Sequence, residues 1–185
     1  DQVVHGFATD EKLREGQILS VDCGVVLDGW QSDSAFTALV GNGSPEAEKL
    51  IADTEKCFWL GANQARAGNR LGDISNAIEV HAEKQGYGVI RDLCGHGIGQ
   101  AMHEDPSVPN FGPPGRGARL QAGMTLAIEP MIALGDWKVY LYDNDWTVAT
   151  RDGSLCAHYE HTVLVTDGEP EILSFPGKSA AEEAR

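Results

Sequence analysis

Residues Gln17 to Val40 read Q-I-L-S-V-D-C-G-V-V-L-D-G-W-Q-S-D-S-A-F-T-A-L-V, and their pattern predicts a β-hairpin that carries two carboxylates. In the first arm, Leu19, Val21, Cys23, Val25 and Leu27 alternate with Ile18, Ser20, Asp22, Gly24 and Val26. That period of two marks a half-buried strand, with Asp22 facing away from the apolar row. Asp28-Gly29 suits a two-residue type I′ turn, in which both central residues take positive φ. Pairing Leu27 with Trp30 then sets Gly24 opposite Asp33 and Asp22 opposite Ala35. The two aspartates share one face as diagonal neighbours, roughly 7–8 Å apart at the backbone. Like charges this close are unfavourable without a common cation, but for the hairpin alone two incidental aspartates on a solvated strand face are the commoner arrangement.

The 185 residues, 42% of them hydrophobic, suffice for one domain with a core of its own. Lys+Arg of 14 against Asp+Glu of 28 give a net charge of −14, which argues against nucleic-acid or anionic-membrane binding, since both need clustered positive charge. Cys23, Cys57, Cys94 and Cys156 form no C-x-x-C pair and read as free thiols in a reducing compartment. Without a run of about 18 apolar residues or a signal-peptide pattern, a soluble cytoplasmic protein is expected.

Val3-Val4-His5 reads as the end of a strand. Ser44-Pro45-Glu46 predicts a helix start, with a hydroxyl at the N-cap and Pro at the first helical position, and the following periodicity points to a C-cap at Gly68. A second helix is predicted from Asp73 to Gly86, with His81 on or beside its apolar stripe in a structural role. A short strand follows between Tyr87 and Gly99, then a Pro/Gly-rich loop through Gly123. Strand alternation returns over residues 124–129 and 155–165, and the small, polar tail of residues 176–185 is expected to fray. Strands, two helices and further strands make a mixed α+β domain.

Several residues outside the hairpin suit chemistry. Gly95-His96-Gly97-Ile98-Gly99 sets an imidazole between glycines, where a ligand can approach the backbone closely, and His103 follows at the mouth of the loop. Glu129 ends an apolar strand beside Pro130, and Glu160 repeats that placement on another strand; a buried acid needs a partner or a metal. Taken together, Asp22, Asp33, His96, Glu129 and Glu160 supply four carboxylates and one imidazole. Such a donor set suits one or two first-row divalent ions without choosing among them.

Val3-Val4-His5-Gly6, Val21-Asp22, Gly29-Trp30-Gln31-Ser32-Asp33, Gly95-His96-Gly97-Ile98-Gly99, Ile128-Glu129-Pro130-Met131 and Tyr159-Glu160-His161-Thr162 resemble, in order and spacing, the type I methionine aminopeptidases of the pita-bread metallopeptidase family. The resemblance implies an α+β pita-bread (creatinase/aminopeptidase) fold, an antiparallel sheet covered by helices. Residues 1–185 would form a single catalytic domain with its first half truncated and residues 43–175 as its second pseudo-symmetric half. It implies two divalent ions (Co, Mn, Fe, Zn or Ni) held by Asp22, Asp33, His96, Glu129 and Glu160, with Asp33 and Glu160 bridging.

Glu129 would also shuttle a proton, and His103 and His5 match the family's two non-ligand histidines, which contact the scissile peptide and the departing amide. On the substrate side, the resemblance implies contacts from His5, Met102, His103, Trp146 and His158. Met102 stands where an aromatic is common and His158 where glutamine is common, while Trp146 matches. The implied substrate is a peptide or nascent chain with N-terminal methionine, the ribosome is a further implied partner, and a monomer is expected. With 30 residues between Glu129 and Glu160, the helical insertion of type II enzymes is absent.

Family members have an upstream helical segment and strands with no counterpart here, so an N-terminally incomplete sequence is expected, with the row Leu19 to Leu27 lacking its partner layer. A prolidase or proline-directed aminopeptidase on the same fold is the alternative enzyme. A non-catalytic pita-bread module that binds proteins is the alternative of another class, and retention of all five ligand positions speaks against it.

Overall fold

The computed structural model describes residues 1–175 and 177–184. In chain order the elements are β1 (Gln2–Val4), β2 (Ile18–Leu27), β3 (Trp30–Leu39), α1 (Pro45–Ala62), α2 (Leu71–Lys84), β4 (Gly88–Val89), β5 (Gly95–Gly97), β6 (Glu104–Val108), β7 (Thr125–Ile128), β8 (Met131–Ala133), β9 (Val139–Leu141), β10 (Val148–Thr150), β11 (Cys156–His158), β12 (Glu160–Leu164), β13 (Glu171–Ile172) and α3 (Ala180–Glu183). The main sheet runs β2-β3-β12-β7-β5-β6, with β13 also paired to β12. Two smaller sheets, β1-β10-β9 and β11-β8-β4, adjoin it.

The helices cover the sheet because each presents an apolar stripe to it. Leu50, Phe58 and Trp59 of α1 and Ile74 and Ile78 of α2 are buried with Leu126 and Ile128 of β7 and Val163 of β12. Gly61 lets the helices close on each other, since a Cβ there would lie 2.8 Å from Ile78 Cγ1.

Ser44 caps α1 as its sequence predicts, its hydroxyl accepting from the Ala47 N–H at 3.2 Å. The helix ends at Ala62, short of Gly68, because the Ala67 and Gly68 N–H groups donate to the Thr166 and Leu120 carbonyls and pull the chain away from helical bonding. Helix α2 begins before Asp73, whose carboxylate accepts from the Arg70 N–H at 2.8 Å and so acts within the first turn. His81 has a structural role, its Nε2 lying 3.3 Å from the Asp53 carboxylate.

The segment expected as a loop through Gly123 contains β6, which pairs with β5. The strand expected over residues 155–165 divides at Tyr159 into β11 and β12, which belong to different sheets. The expected tail is ordered over most of its length. Ser179 caps α3, Ala180 is buried in the main core, and Lys56 Nζ donates to the Glu183 carbonyl at 2.9 Å. Pro176 and Arg185, also in that expected tail, lie outside the described residues.

Strand β2 is not half-buried as its alternation predicts. It forms the sheet edge, and Leu27 is 71% and its partner Trp30 60% exposed. All four cysteines are free thiols. Among the described residues, no helix is long and apolar enough to cross a membrane.

Candidate metal centre

The hairpin has the register its sequence predicts. Ten successive pairs run from Ile18↔Leu39 to Leu27↔Trp30, with Asp22 opposite Ala35 and Gly24 opposite Asp33. At its tip Asp28 has φ 50° and Gly29 φ 83°, the positive values that a type I′ turn needs. The Asp22 and Asp33 carboxyls lie close enough for Asp33 to help raise that of Asp22. Asp33 is also tied into the main sheet through one hydroxyl: Thr162 Oγ1 accepts from the Asp33 N–H at 2.9 Å and donates to the Asp33 carbonyl at 3.0 Å.

Two further carboxylates come from a place where a ladder changes sheets. β12 pairs with β7 through His161↔Ile128, and β11 pairs with β8 through His158↔Met131. These pairings are in one continuous register, which puts Glu160 opposite Glu129 in the gap between them. Pro130 has no N–H for the ladder, so regular pairing lapses there. Like charges directly opposite one another are destabilising in a sheet, and this pair is nearly enclosed, with Glu160 only 2% exposed.

His96 joins from β5, where it pairs with Ala127 of β7. Its Nδ1 donates to the Gly97 carbonyl at 2.8 Å, which fixes the proton there and leaves the Nε2 lone pair free, 3.6 Å from Glu129 Oε1. The flanking glycines let β5 lie this close. A Cβ on Gly95 would run into the Ala127 carbonyl, and one on Gly97 into the Asp105 carbonyl.

Burial, followed by the charges of Glu129, Asp33 and Asp22, pushes the Glu160 carboxyl up to about 10. Burial and the two aspartates push Glu129 up to about 9, and burial and Asp33 raise Asp22 to about 6. Burial holds the His96 imidazole below its ordinary value and His158 down at about 4. The carboxyl shifts express burial first and then the charges of the converging acids, whereas the imidazole shifts express burial. Glu160 Oε1 and His158 Nε2 are buried with no hydrogen-bond partner, a costly arrangement for polar atoms. One atom each from Asp33, His96 and Glu160, and one each from Glu129, His158 and Glu160, lie within 4.8 Å of one another in two groups that share Glu160. Oxygen donors with imidazole nitrogen, unpaired and short of positive charge, fit divalent cations.

All five candidate ligands therefore line one cleft of about 150 Å³, with His5 and His103 at its rim. The His103 ring lies 4.4 Å from that of His96, edge to face. His5 stacks on Trp146 at 4.3 Å, at a backbone φ of 62°, and its Nδ1 donates to the Trp146 carbonyl at 3.3 Å. Trp146 thus supports His5, which lines the cleft. Met102 packs over Gly24, where a Cβ would come within 2.5 Å of its Cε. His158 differs most from the expected substrate contact, being 1% exposed and lying with Nε2 3.7 Å from both Glu129 and Glu160. Cys94, Leu93 and Met131 also line the cleft and were not singled out from sequence. Cys94 stands two residues before His96, just ahead of β5, and that spacing is the one signal that points to it.

Residues 1–167 match metallopeptidase family M24. The chain belongs to that family. It is 55% identical over 175 residues to a methionine aminopeptidase of Clostridium perfringens, covering 95% of this chain and 70% of the relative. Methionine aminopeptidase 1 of Bacillus subtilis is 44% identical, with coverage of 94% and 70%. The crystal structure of methionine aminopeptidase from Thermotoga maritima superposes with a TM-score of 0.91 at 45% identity, covering 94% of this chain and 70% of that one. A prolidase from Pyrococcus furiosus, at 21% identity and a TM-score of 0.73, shares the fold. The chain is thus an α+β pita-bread hydrolase, a metal-dependent aminopeptidase with a divalent metal as cofactor.

Proposed function

We propose that this aminopeptidase removes N-terminal methionine from peptides and nascent chains, using two divalent ions held by Asp22, Asp33, His96, Glu129 and Glu160. The observation that carries the reading is the convergence of these donors from separate strands around a buried, unpartnered Glu160 oxygen. The two donor groups that share Glu160 support a pair of ions with that carboxylate between them. When bound, the ions supply Lewis acidity toward the peptide carbonyl and an activated water.

The side chains provide the rest. Glu129, with its carboxyl at the cleft wall, takes a proton on a carboxylate oxygen and returns it to the departing amide nitrogen. His103 sits at the rim, its ring edge to face with that of His96, where it donates to the carbonyl oxygen as charge develops on it. His5 commits its Nδ1 proton to the Trp146 carbonyl, which leaves Nε2 to accept from a substrate N–H.

The test compares Asp33→Asn with His103→Ala on Met-Ala-Ser, with bound metal measured by elemental analysis. Asp33→Asn should lose metal and activity together. His103→Ala should retain metal and lose roughly 10²–10³ in kcat, as expected for one transition-state donor. Retained activity in Asp33→Asn, or cleavage of Gly-Pro in preference to Met-Ala-Ser by the unsubstituted enzyme, would overturn the proposal.

A further inference from the structure

His158 is a buried imidazole for which the five-ligand centre has no use. It is 1% exposed, its Nε2 has no hydrogen-bond partner, and that atom lies 3.7 Å from Glu129 Oε2 and 3.7 Å from Glu160 Oε2. Both separations are too long for hydrogen bonds. They suit donors sharing an ion, because two atoms each about 2.1 Å from one cation stand roughly 3–4 Å apart. The backbone holds the ring in place. Thr37 Oγ1 donates to the His158 carbonyl at 2.9 Å and accepts from the His158 N–H at 2.9 Å.

Two donor groups share Glu160, one with His96 and Asp33 and the other with His158 and Glu129. His96 Nε2 also lies 3.6 Å from Glu129 Oε1, so both imidazoles face that carboxylate. We propose that His158 is a sixth metal ligand, its Nε2 joining Glu129 and Glu160 on an ion. This rests on the two-ion reading of the cleft. An added nitrogen donor moves that position toward cobalt, nickel and zinc and away from manganese, since imidazole suits the former while oxygen-only surroundings suit the latter.

The experiment titrates the unsubstituted enzyme, His158→Gln and Asp33→Asn with Co²⁺ and with Mn²⁺ by calorimetry, and records the visible spectrum of each cobalt-loaded protein. His158→Gln should lose affinity for Co²⁺ by about tenfold or more at one of two steps, lose much less for Mn²⁺, and change the cobalt spectrum. If His158→Gln binds both ions as the unsubstituted enzyme does while Asp33→Asn does not, the sixth ligand is refuted and the metal centre stands. If Asp33→Asn also binds normally, the reading of the centre falls with it. The unsubstituted enzyme gives a second measurement that needs no folded variant. Loaded with an NMR-active cadmium isotope and labelled at histidine nitrogen, it should show metal–nitrogen coupling to two imidazoles, and coupling to one alone would overturn the proposal.

Discussion

The β2–β3 hairpin and the junction of β7–β8 with β11–β12 each deliver two carboxylates to the same cleft, but opposite kinds of structure hold them there. In the hairpin, ten local pairs and a two-residue turn set Asp22 and Asp33, while the strand carrying Asp22 is exposed along most of its length. At the junction, Glu129 and Glu160 stand 31 positions apart in the chain and are placed by packing, with Leu126, Ala127, Ile128 and Met131 fully buried around them. The difference implies that damage to the hairpin should disturb the site at little cost to the fold, whereas damage beside the junction should cost the fold first. Substitutions at the junction, at the link between the regions and at the hairpin tip test this in turn.

The largest effect is expected at Gly95→Ala. The new Cβ would press on the Ala127 carbonyl of the neighbouring strand, with Val108 Cβ 3.3 Å away, and neither is the flexible end of a side chain that could yield. A loss of about 3 kcal/mol is expected from such overpacking, measured as a lower urea midpoint at unchanged slope. An unaltered midpoint would mean that β5 can shift away from β7 and that the junction is not rigid.

The same contrast explains what could be read from the sequence. Asp28-Gly29 and the alternation before it specify the hairpin's pairs, since every contact is local and the turn requires positive φ at two named residues. Ser44-Pro45 marks a helix start for the same reason. The helix end near Gly68 was not legible, because the Ala67 and Gly68 N–H groups are claimed by carbonyls at 166 and 120. Nor was the break at Tyr159, which depends on Pro130 opposite it in a strand nearly 30 residues earlier. His158 shows the limit most clearly: alternation puts it on one face with Glu160, yet only the Glu129–Glu160 pairing turns that face inward. Burial of β2 was misjudged because alternation shows that a strand has two different faces and does not show whether either is covered.

Thr162→Val tests the link between the two regions. The hydroxyl that it removes satisfies both the N–H and the carbonyl of Asp33, and valine of the same shape leaves both without a partner. Stability should fall by about 2 kcal/mol, within the usual penalty for buried unsatisfied groups. Metal affinity should fall too, because Asp33 then keeps its place on β3 but loses its tie to β12. Thr162→Ser should restore most of both. Full stability in Thr162→Val would show that the β12–β3 pairs Glu160↔Ala35 and His161↔Ser34 anchor the hairpin without the hydroxyl.

The smallest effect is expected at the tip, with Gly29→Val. A Cβ there meets nothing within 4 Å, so the cost is purely conformational, that of a β-branched residue at φ 83°. About 1–2 kcal/mol is expected in urea unfolding. The informative quantity is metal affinity measured on the folded variant. If ten backbone pairs and the hydroxyl clamp at Asp33 fix the register between them, affinity should stay close to that of the unsubstituted enzyme, because the tip is seven residues from Asp22 and the frayed turn transmits nothing to it. If affinity collapses while the fold survives, the turn alone was choosing the register. A one-residue slip would then have carried Asp22 to the opposite face of the sheet, and the hairpin would be the weaker half of the site rather than merely the more exposed one.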